Sequence, residues 1–204
     1  MKLGALSKEV TVKNEGTVHW ALKTLIERDP EGGVLKISQG AYALEVIQRF
    51  GFASAKVAST PAFDAGPLAE MLPEDLPKNE DDIALLHLLH PFYEAIGCLW
   101  WLANISRPDI YLAVQRAAKY VSKPSKKLWL WITRIFRYLK HEPNLGVCYL
   151  RPLLAETAGI VPLEVPLLAG SADASFPDCD KKKSTLGQVY WFNGCSCRLE
   201  FEDL

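Results

Sequence analysis

Between Phe92 and Leu150 the chain carries three amphipathic helical patterns in succession, and nearly every charge on the last two is positive. Phe92–Ile105 is apolar almost all round, which predicts a buried helix. Arg107-Pro108-Asp109 breaks it and restarts the chain. Ile110, Val114, Ala117 and Val121 then recur at i, i+4, i+7 and i+11, lining one face and leaving Arg116, Lys119 and Lys123 elsewhere. Pro124 and Ser125 open a third helix. At about 100° per residue, Leu128, Trp131, Ile132, Ile135, Phe136 and Leu139 share one half of it, and Lys126, Arg134, Arg137 and Lys140 share the other. Pro143, Asn144 and Gly146 end it.

The stretch from Arg107 to Lys140 holds nine Lys or Arg against one acid, Asp109, although the formal net charge of the whole chain is only -1. A run of surface cations is by default a solvated face. One this lopsided also suits a polyanion, whose backbone it would bind with little regard to sequence and with steep salt dependence. A chain of 204 residues can form one or two domains, and 49% hydrophobic with 23% charged residues is ordinary globular composition. Ala95–Ala103, the longest apolar run, is far short of the roughly 20 residues of a membrane span. Lys8 and Glu9 interrupt any signal-peptide core. The expectation is a soluble intracellular protein, cytoplasmic or nuclear. Five cysteines without a repeated spacing fit reduced thiols.

Ahead of the helical block, Thr17–Arg28 reads as a mixed apolar and β-branched run. Asp29-Pro-Glu-Gly-Gly33 is turn chemistry, and Val34–Ser38 reads as a returning strand, so a hairpin is predicted. A helix follows from Ser38 or Gln39, with Tyr42, Val46, Ile47 and Phe50 on one face and Gly51 as its stop. Residues 53–82 carry Pro61, Pro67, Pro73 and Pro77, and acids outnumber bases. They predict an extended, solvated linker, with masking of the basic face as the second reading. Residues 151–166 form another Pro-containing connector. Leu167–Ser175 and Ser184–Asn193 then read as strands around a charged turn, Asp178 to Lys183, with Cys195–Phe201 a third.

Several motifs, in order, resemble the copia-type retrotransposon polyprotein where reverse transcriptase meets ribonuclease H. Gly16–Arg28 (GTVHWALKTLIER) is similar to the family's hairpin beside the primer, which places His19, Trp20 and Lys23 on the primer side. Val34–Phe52 is similar to its following strand and helix, and Ser59-Thr-Pro61 to its STP. Ala103-Asn-Ile-Ser-Arg-Pro-Asp-Ile110 resembles LAN-x-x-RPDI, and Arg134-Ile-Phe-Arg-Tyr-Leu-Lys140 resembles R-x-L-RYLK. Ser171-Ala-Asp-Ala174, followed by Lys183-Ser-Thr185 and Gly187, resembles the opening of ribonuclease H.

The resemblance implies an α+β chain. It comprises an N-terminal β-hairpin plus helix (1–52), an acidic linker (53–82), a central three-helix bundle of thumb or connection type (83–150), a linker (151–166) and an incomplete ribonuclease-H-like sheet of two or three strands (167–204). The family is an RNA-directed DNA polymerase with ribonuclease H, and the intact enzyme uses Mg²⁺. This chain departs from it. Tyr-x-Asp-Asp is absent, Lys23-Thr24 stands where the family has Gly-Ile, and only Asp173 matches a ribonuclease H metal ligand. A two-metal nuclease needs several convergent carboxylates. The expectation is therefore a catalytically incomplete fragment that binds no metal itself. Its partners would be an RNA–DNA hybrid or DNA, gripped by Arg116, Lys119, Lys123, Lys126, Lys127, Arg134, Arg137 and Lys140, and the rest of the polyprotein. Neither a membrane nor a small-molecule substrate is implied. The alternative is a retained protein-interaction module.

Other residues read more plainly. Asp173 is a relic metal ligand or a strand-end surface acid. His87 and His90 suit a helix packing its leucines better than a metal site. Cys195 and Cys197 read as ordinary thiols on one side of a strand. Trp100, Trp101, Trp129 and Trp131 could stack on bases; core is the commoner role, with Trp129 the one expected at the surface.

Overall fold

A computed structural model describes residues 16–62, 75–150, 168–175, 185–192 and 195–203 of the chain. Its architecture is mixed helix and sheet, as the α+β class requires. Strands β1 (Trp20–Ala21), β2 (Thr24–Asp29) and β3 (Val34–Ser38) form an antiparallel meander. The β2–β3 turn is closed by the Asp29 carboxylate, whose Oδ1 accepts from the Gly32 N–H at 2.8 Å. The β1–β2 turn was not legible in the sequence. Leu22 and Lys23 occupy it with φ of 51° and 64°. Two-residue hairpin turns use this left-handed backbone because it follows the twist of the strands, and Gly or Asn are its usual occupants. Leu-Lys sends no such signal, so Thr17–Arg28 read as one run.

Strand β4 (Gly146–Leu150) corrects the helical reading of the block's end. It pairs with β3 from Ser38↔Gly146 to Val34↔Leu150, giving the sheet order β1-β2-β3-β4. A Cβ on Gly146 would lie 2.3 Å from the Ile37 carbonyl oxygen. Gly146 is therefore needed for close strand approach, beyond any part in ending a helix. The N-terminal meander and the helical block, far apart in sequence, thus share a sheet.

The helices are α1 (Gly40–Arg49), α2 (Glu80–Leu89), α3 (Phe92–Ile105), a 3₁₀ turn (Pro108–Ile110), α4 (Tyr111–Ala118) and α5 (Lys126–His141). Gly51, at φ 79°, ends α1 as expected. In α5 the Ser125 hydroxyl caps the helix by accepting from the Leu128 N–H at 3.1 Å. Its buried residues are Leu128, Trp131, Ile132, Ile135, Phe136 and Leu139, the face that the periodicity predicts. They pack with Ala43, Val46 and Ile47 of α1, with α3, and with Ile110, Val114 and Ala117 in one core. Phe50 and Phe52 stack on Phe136 at 5.0 and 5.1 Å between ring centroids, which fastens the end of α1 to α5. Helix α3 is less enclosed than its composition predicts, since Tyr93 and Trp101 face solvent. Helix α2 departs further. Of its leucines only Leu86 packs partly against the core; Leu85, Leu88 and Leu89 are exposed, and no residue of the helix is fully buried. Among the described residues no single helix is long and apolar enough to cross a membrane.

Arg107 is the largest fully buried side chain, at 1% exposure. Its Nε donates to Asp109 Oδ1 at 3.0 Å and one terminal nitrogen to Oδ2 at 2.8 Å. The other terminal nitrogen donates to the Glu142 carbonyl at 2.8 Å, and the guanidinium lies 5.5 Å from the Tyr138 ring centroid. One residue thus ties the 3₁₀ turn to the C-terminal end of α5. Beside it, Ser106 Oγ and Gln39 Oε1 are 2.9 Å apart in a buried hydrogen bond that joins α3 to the start of α1.

The linker expectation needs correction at both ends of residues 53–82. Residues 55–62 lie against α5, with Ala58 buried, and Glu80–Asp82 form the first turn of α2. The connector at 151–166 and the charged turn at 178–183 lie outside the described residues. Strands β5 (Leu168–Ser175), β6 (Thr185–Phe192) and β7 (Cys195–Asp203) form a second antiparallel sheet in that order. The register slips between Tyr190↔Arg198 and Trp191↔Ser196, leaving Cys197 without an opposite residue.

Replacing Arg107 with Met should lower the unfolding free energy by about 3 kcal/mol, because it leaves Asp109 and a helix-end carbonyl without their partner. Urea denaturation should show this as a lower midpoint at unchanged slope. Asp109→Asn, which leaves the guanidinium buried without a counter-charge, should cost as much.

Candidate nucleic-acid interface

The eight cations expected to grip nucleic acid fall into two groups. Arg116 ends α4, Lys119 and Lys123 lie in the turn that follows, and Lys126 and Lys127 begin α5. That turn is built to hold a fixed shape. Tyr120, Val121 and Lys123 donate backbone N–H bonds to the carbonyls of Ala117, Ala118 and Tyr120 at 3.1, 3.3 and 3.0 Å. Val121 and Pro124 are buried beneath it. Lys119, Lys123 and Lys126 are exposed on this corner, while Arg116 and Lys127 are half-buried. Lys127 pairs with Asp75 at 2.7 Å.

The second group faces inward to the chain itself. Arg134 Nε donates to the Ala62 carbonyl at 3.0 Å and its terminal nitrogen to the Thr60 hydroxyl oxygen at 2.6 Å. Arg137 Nε donates to the Lys56 carbonyl at 2.6 Å, and Lys140 Nζ to the Ala55 carbonyl at 2.8 Å. The Ala58 N–H returns a bond to the Arg137 carbonyl at 3.2 Å. Charge counting could not separate these residues from the corner, because hydrogen bonds to carbonyl and hydroxyl oxygens leave no trace in a tally of charges. Asp75 was visible only as one acid among several in the linker.

The primer-side hairpin residues sit on a separate element. His19 and Trp20 are exposed, and Lys23, in the β1–β2 turn, pairs with Glu45 of α1 at 2.5 Å. Asp173 lies within β5, opposite Gly187. Among the described residues no three His, Cys, Asp or Glu side chains gather where an ion could sit.

His87 and His90 take aromatic partners. His87 stacks on Tyr93 at 4.9 Å, and His90 on Trp129 at 4.6 Å. Trp129 also meets Phe92 edge-on at 5.4 Å, so it is half-buried, contrary to the expectation of exposure. Trp131 is core, donating from Nε1 to the Ala113 carbonyl at 2.9 Å. Among the described residues the exposed tryptophans are Trp20 and Trp101. Burial, and secondarily the nearby Lys126 ammonium, pull the His90 pKa below its ordinary value. Burial and the hydrogen bond to Asp109 push the Tyr138 phenol up.

The chain is 28% identical over 192 residues to the retrovirus-related Pol polyprotein from transposon TNT 1-94 of Nicotiana tabacum, covering 94% of this chain and 13% of that one. It is 30% identical over 145 residues to the retrovirus-related Pol polyprotein from transposon RE2 of Arabidopsis thaliana, covering 71% of this chain and 9% of that one. It is also 30% identical over 105 residues to the secreted RxLR effector protein 161 of Plasmopara viticola, covering 51% of this chain and 66% of that protein. The chain therefore spans 9 to 13% of the length of these two polyproteins. No family model matches the chain, and no solved structure matches it.

The His90 site gives a pH dependence of known sign. A histidine with a lowered folded pKa binds fewer protons folded than unfolded, so its contribution to stability is lost as pH falls below the unfolded value of about 6.5. Between pH 7.5 and 5.5 the chain should lose stability, with a change in Trp129 fluorescence. His90→Phe, which preserves the stack, should remove that part of the pH dependence in parallel urea titrations.

Proposed function

The chain is a relative of retrotransposon Pol polyproteins, and from that premise we propose that it holds nucleic acid by its backbone without acting on it. It corresponds to the segment of a copia-type polyprotein where the thumb and connection of reverse transcriptase run into ribonuclease H. Its ligand is a template–primer or an RNA–DNA hybrid. The observation that carries this reading is the α4–α5 corner, where Arg116, Lys119, Lys123, Lys126 and Lys127 are set around a rigid turn. Lys and Arg placed this way neutralise phosphates and release counterions whatever the base sequence. A fixed turn presents them with little ordering cost on binding. Catalytic incompleteness is supported by the absence of Tyr-x-Asp-Asp from these 204 residues and by the single matching carboxylate, Asp173.

A second reading rests on α2. Leu85, Leu88 and Leu89, with Tyr93 beyond the helix, are all more than half exposed. Such a patch suits protein contact, which would make the chain an interaction module. A complex recovered on this chain that survives nuclease treatment and is lost in Leu88→Lys favours that reading.

The nucleic-acid reading is tested by electrophoretic or fluorescence titration with a short RNA–DNA hybrid. The logarithm of affinity should fall with the logarithm of salt concentration at a slope of about -3 to -4. Replacing Lys119, Lys123 and Lys126 together with Gln should flatten that slope by about 3. Absence of binding at low salt rules the reading out.

A further inference from the structure

The same contacts that engage the half-buried Arg134, Arg137 and Lys140 suggest how the corner's reach is controlled. This inference rests on the nucleic-acid reading above. We propose that residues 55–62, with Asp75, form an internal competitor that covers half of the basic face and yields it to a polyanion.

Four of the eight cations are held this way. Arg134, Arg137 and Lys140 stand at i, i+3 and i+6 along α5, which sets them along one side of the helix. Their acceptors are the Ala55, Lys56 and Ala62 carbonyls and the Thr60 hydroxyl. Lys127 is held instead by the carboxylate of Asp75. The distinction between acceptors matters. A neutral carbonyl is a weaker partner for a guanidinium or ammonium than a phosphate oxygen is. A hybrid that reached this face would therefore offer Arg137 and Lys140 a better acceptor than the carbonyls they hold.

The competitor is also lightly attached. Within 53–62 only Ala58 is fully buried, and one backbone bond, from Ala58 N–H to the Arg137 carbonyl, supplements the side-chain bonds. Segments with few buried apolar contacts and exposed hydrogen bonds open at small free-energy cost. The Lys127–Asp75 pair is partly exposed and weakens with salt. The α5 side of the contact, by contrast, belongs to a helix whose opposite face is core. Release of the connector would leave the cations in place, aligned with those of the corner. Because a phosphate and the connector need the same N–H groups, the two are mutually exclusive there. The affinity seen from outside is then reduced by the fraction of molecules in which the connector is docked.

Lys56 supplies a direct readout, since its carbonyl, the one trypsin must attack, is the acceptor of Arg137. Cleavage after Lys56 reports release of the connector. Ala58→Gln removes the buried anchor without changing charge, and Asp75→Asn removes the carboxylate that pairs with Lys127, with Glu31→Gln in the β2–β3 turn as its control for charge. In Ala58→Gln, cleavage after Lys56 should quicken. Affinity for an RNA–DNA hybrid should rise about fivefold or more, as expected if the docked state dominates. The salt slope should steepen by about 2 to 3, reporting the added phosphate contacts. Asp75→Asn should bind more tightly than Glu31→Gln. By reciprocity, hybrid should accelerate cleavage after Lys56 in the unaltered chain. If Ala58→Gln is cleaved faster but binds with unchanged affinity and slope, or if hybrid protects Lys56, internal competition is overturned while the corner's binding stands. If neither the unaltered chain nor Ala58→Gln binds at low salt, the nucleic-acid reading falls and this inference with it.

Discussion

A buried guanidinium sets the frame of this molecule. Arg107 has no route to water, and its burial is tolerable only because Asp109 takes two of its nitrogens and the Glu142 carbonyl takes a third. Those partners come from the turn after α3 and from the residue after α5. Satisfying one charge therefore fixes where two helices end relative to each other. Beyond Glu142 the chain turns through Asn144 to Gly146 and enters the sheet beside β3. The pairing that unites the N-terminal meander with the helical block thus begins a few residues from the buried charge. The basic corner belongs to the same frame, since it is the other end of α5.

The helix faces were legible because one interaction dominates them. Burial of six apolar side chains along α5 imposes a period, and the period is written in the residues themselves. The end of α1 was legible for a similarly local reason, a glycine with positive φ. Arg107 was misread because its partner is two residues away and its burial depends on Glu142, so a count of charges sees only another surface cation. Strand β4 was missed because Val147-Cys148-Tyr149 carries its meaning in pairing with Ile37 and its neighbours, a contact across more than a hundred residues. The exposed leucines of α2 were misread because an apolar helix looks buried until its neighbours are known.

The candidate site shows the same divide more sharply. Its eight cations were all identifiable by residue type, yet their roles differ. Lys119, Lys123 and Lys126 are exposed on the corner, Arg116 is half-buried and Lys127 pairs with Asp75, whereas Arg134, Arg137 and Lys140 hold residues 55–62. Ser59-Thr-Pro61 and the Arg134–Lys140 motif, which read as separate family marks, touch through Thr60 and Arg134. The chain's likeness to transposon Pol polyproteins is what the proposal for the corner builds on.

The central claim is that the Arg116–Lys127 corner is where nucleic acid meets this chain. Ultraviolet crosslinking of the full chain to an RNA–DNA hybrid, followed by mass spectrometric mapping, tests it most directly. The crosslinked peptides should centre on residues 116–127 and disappear as salt is raised. Crosslinks centred on the β1–β4 sheet or on α2, with the corner unmodified, would contradict it.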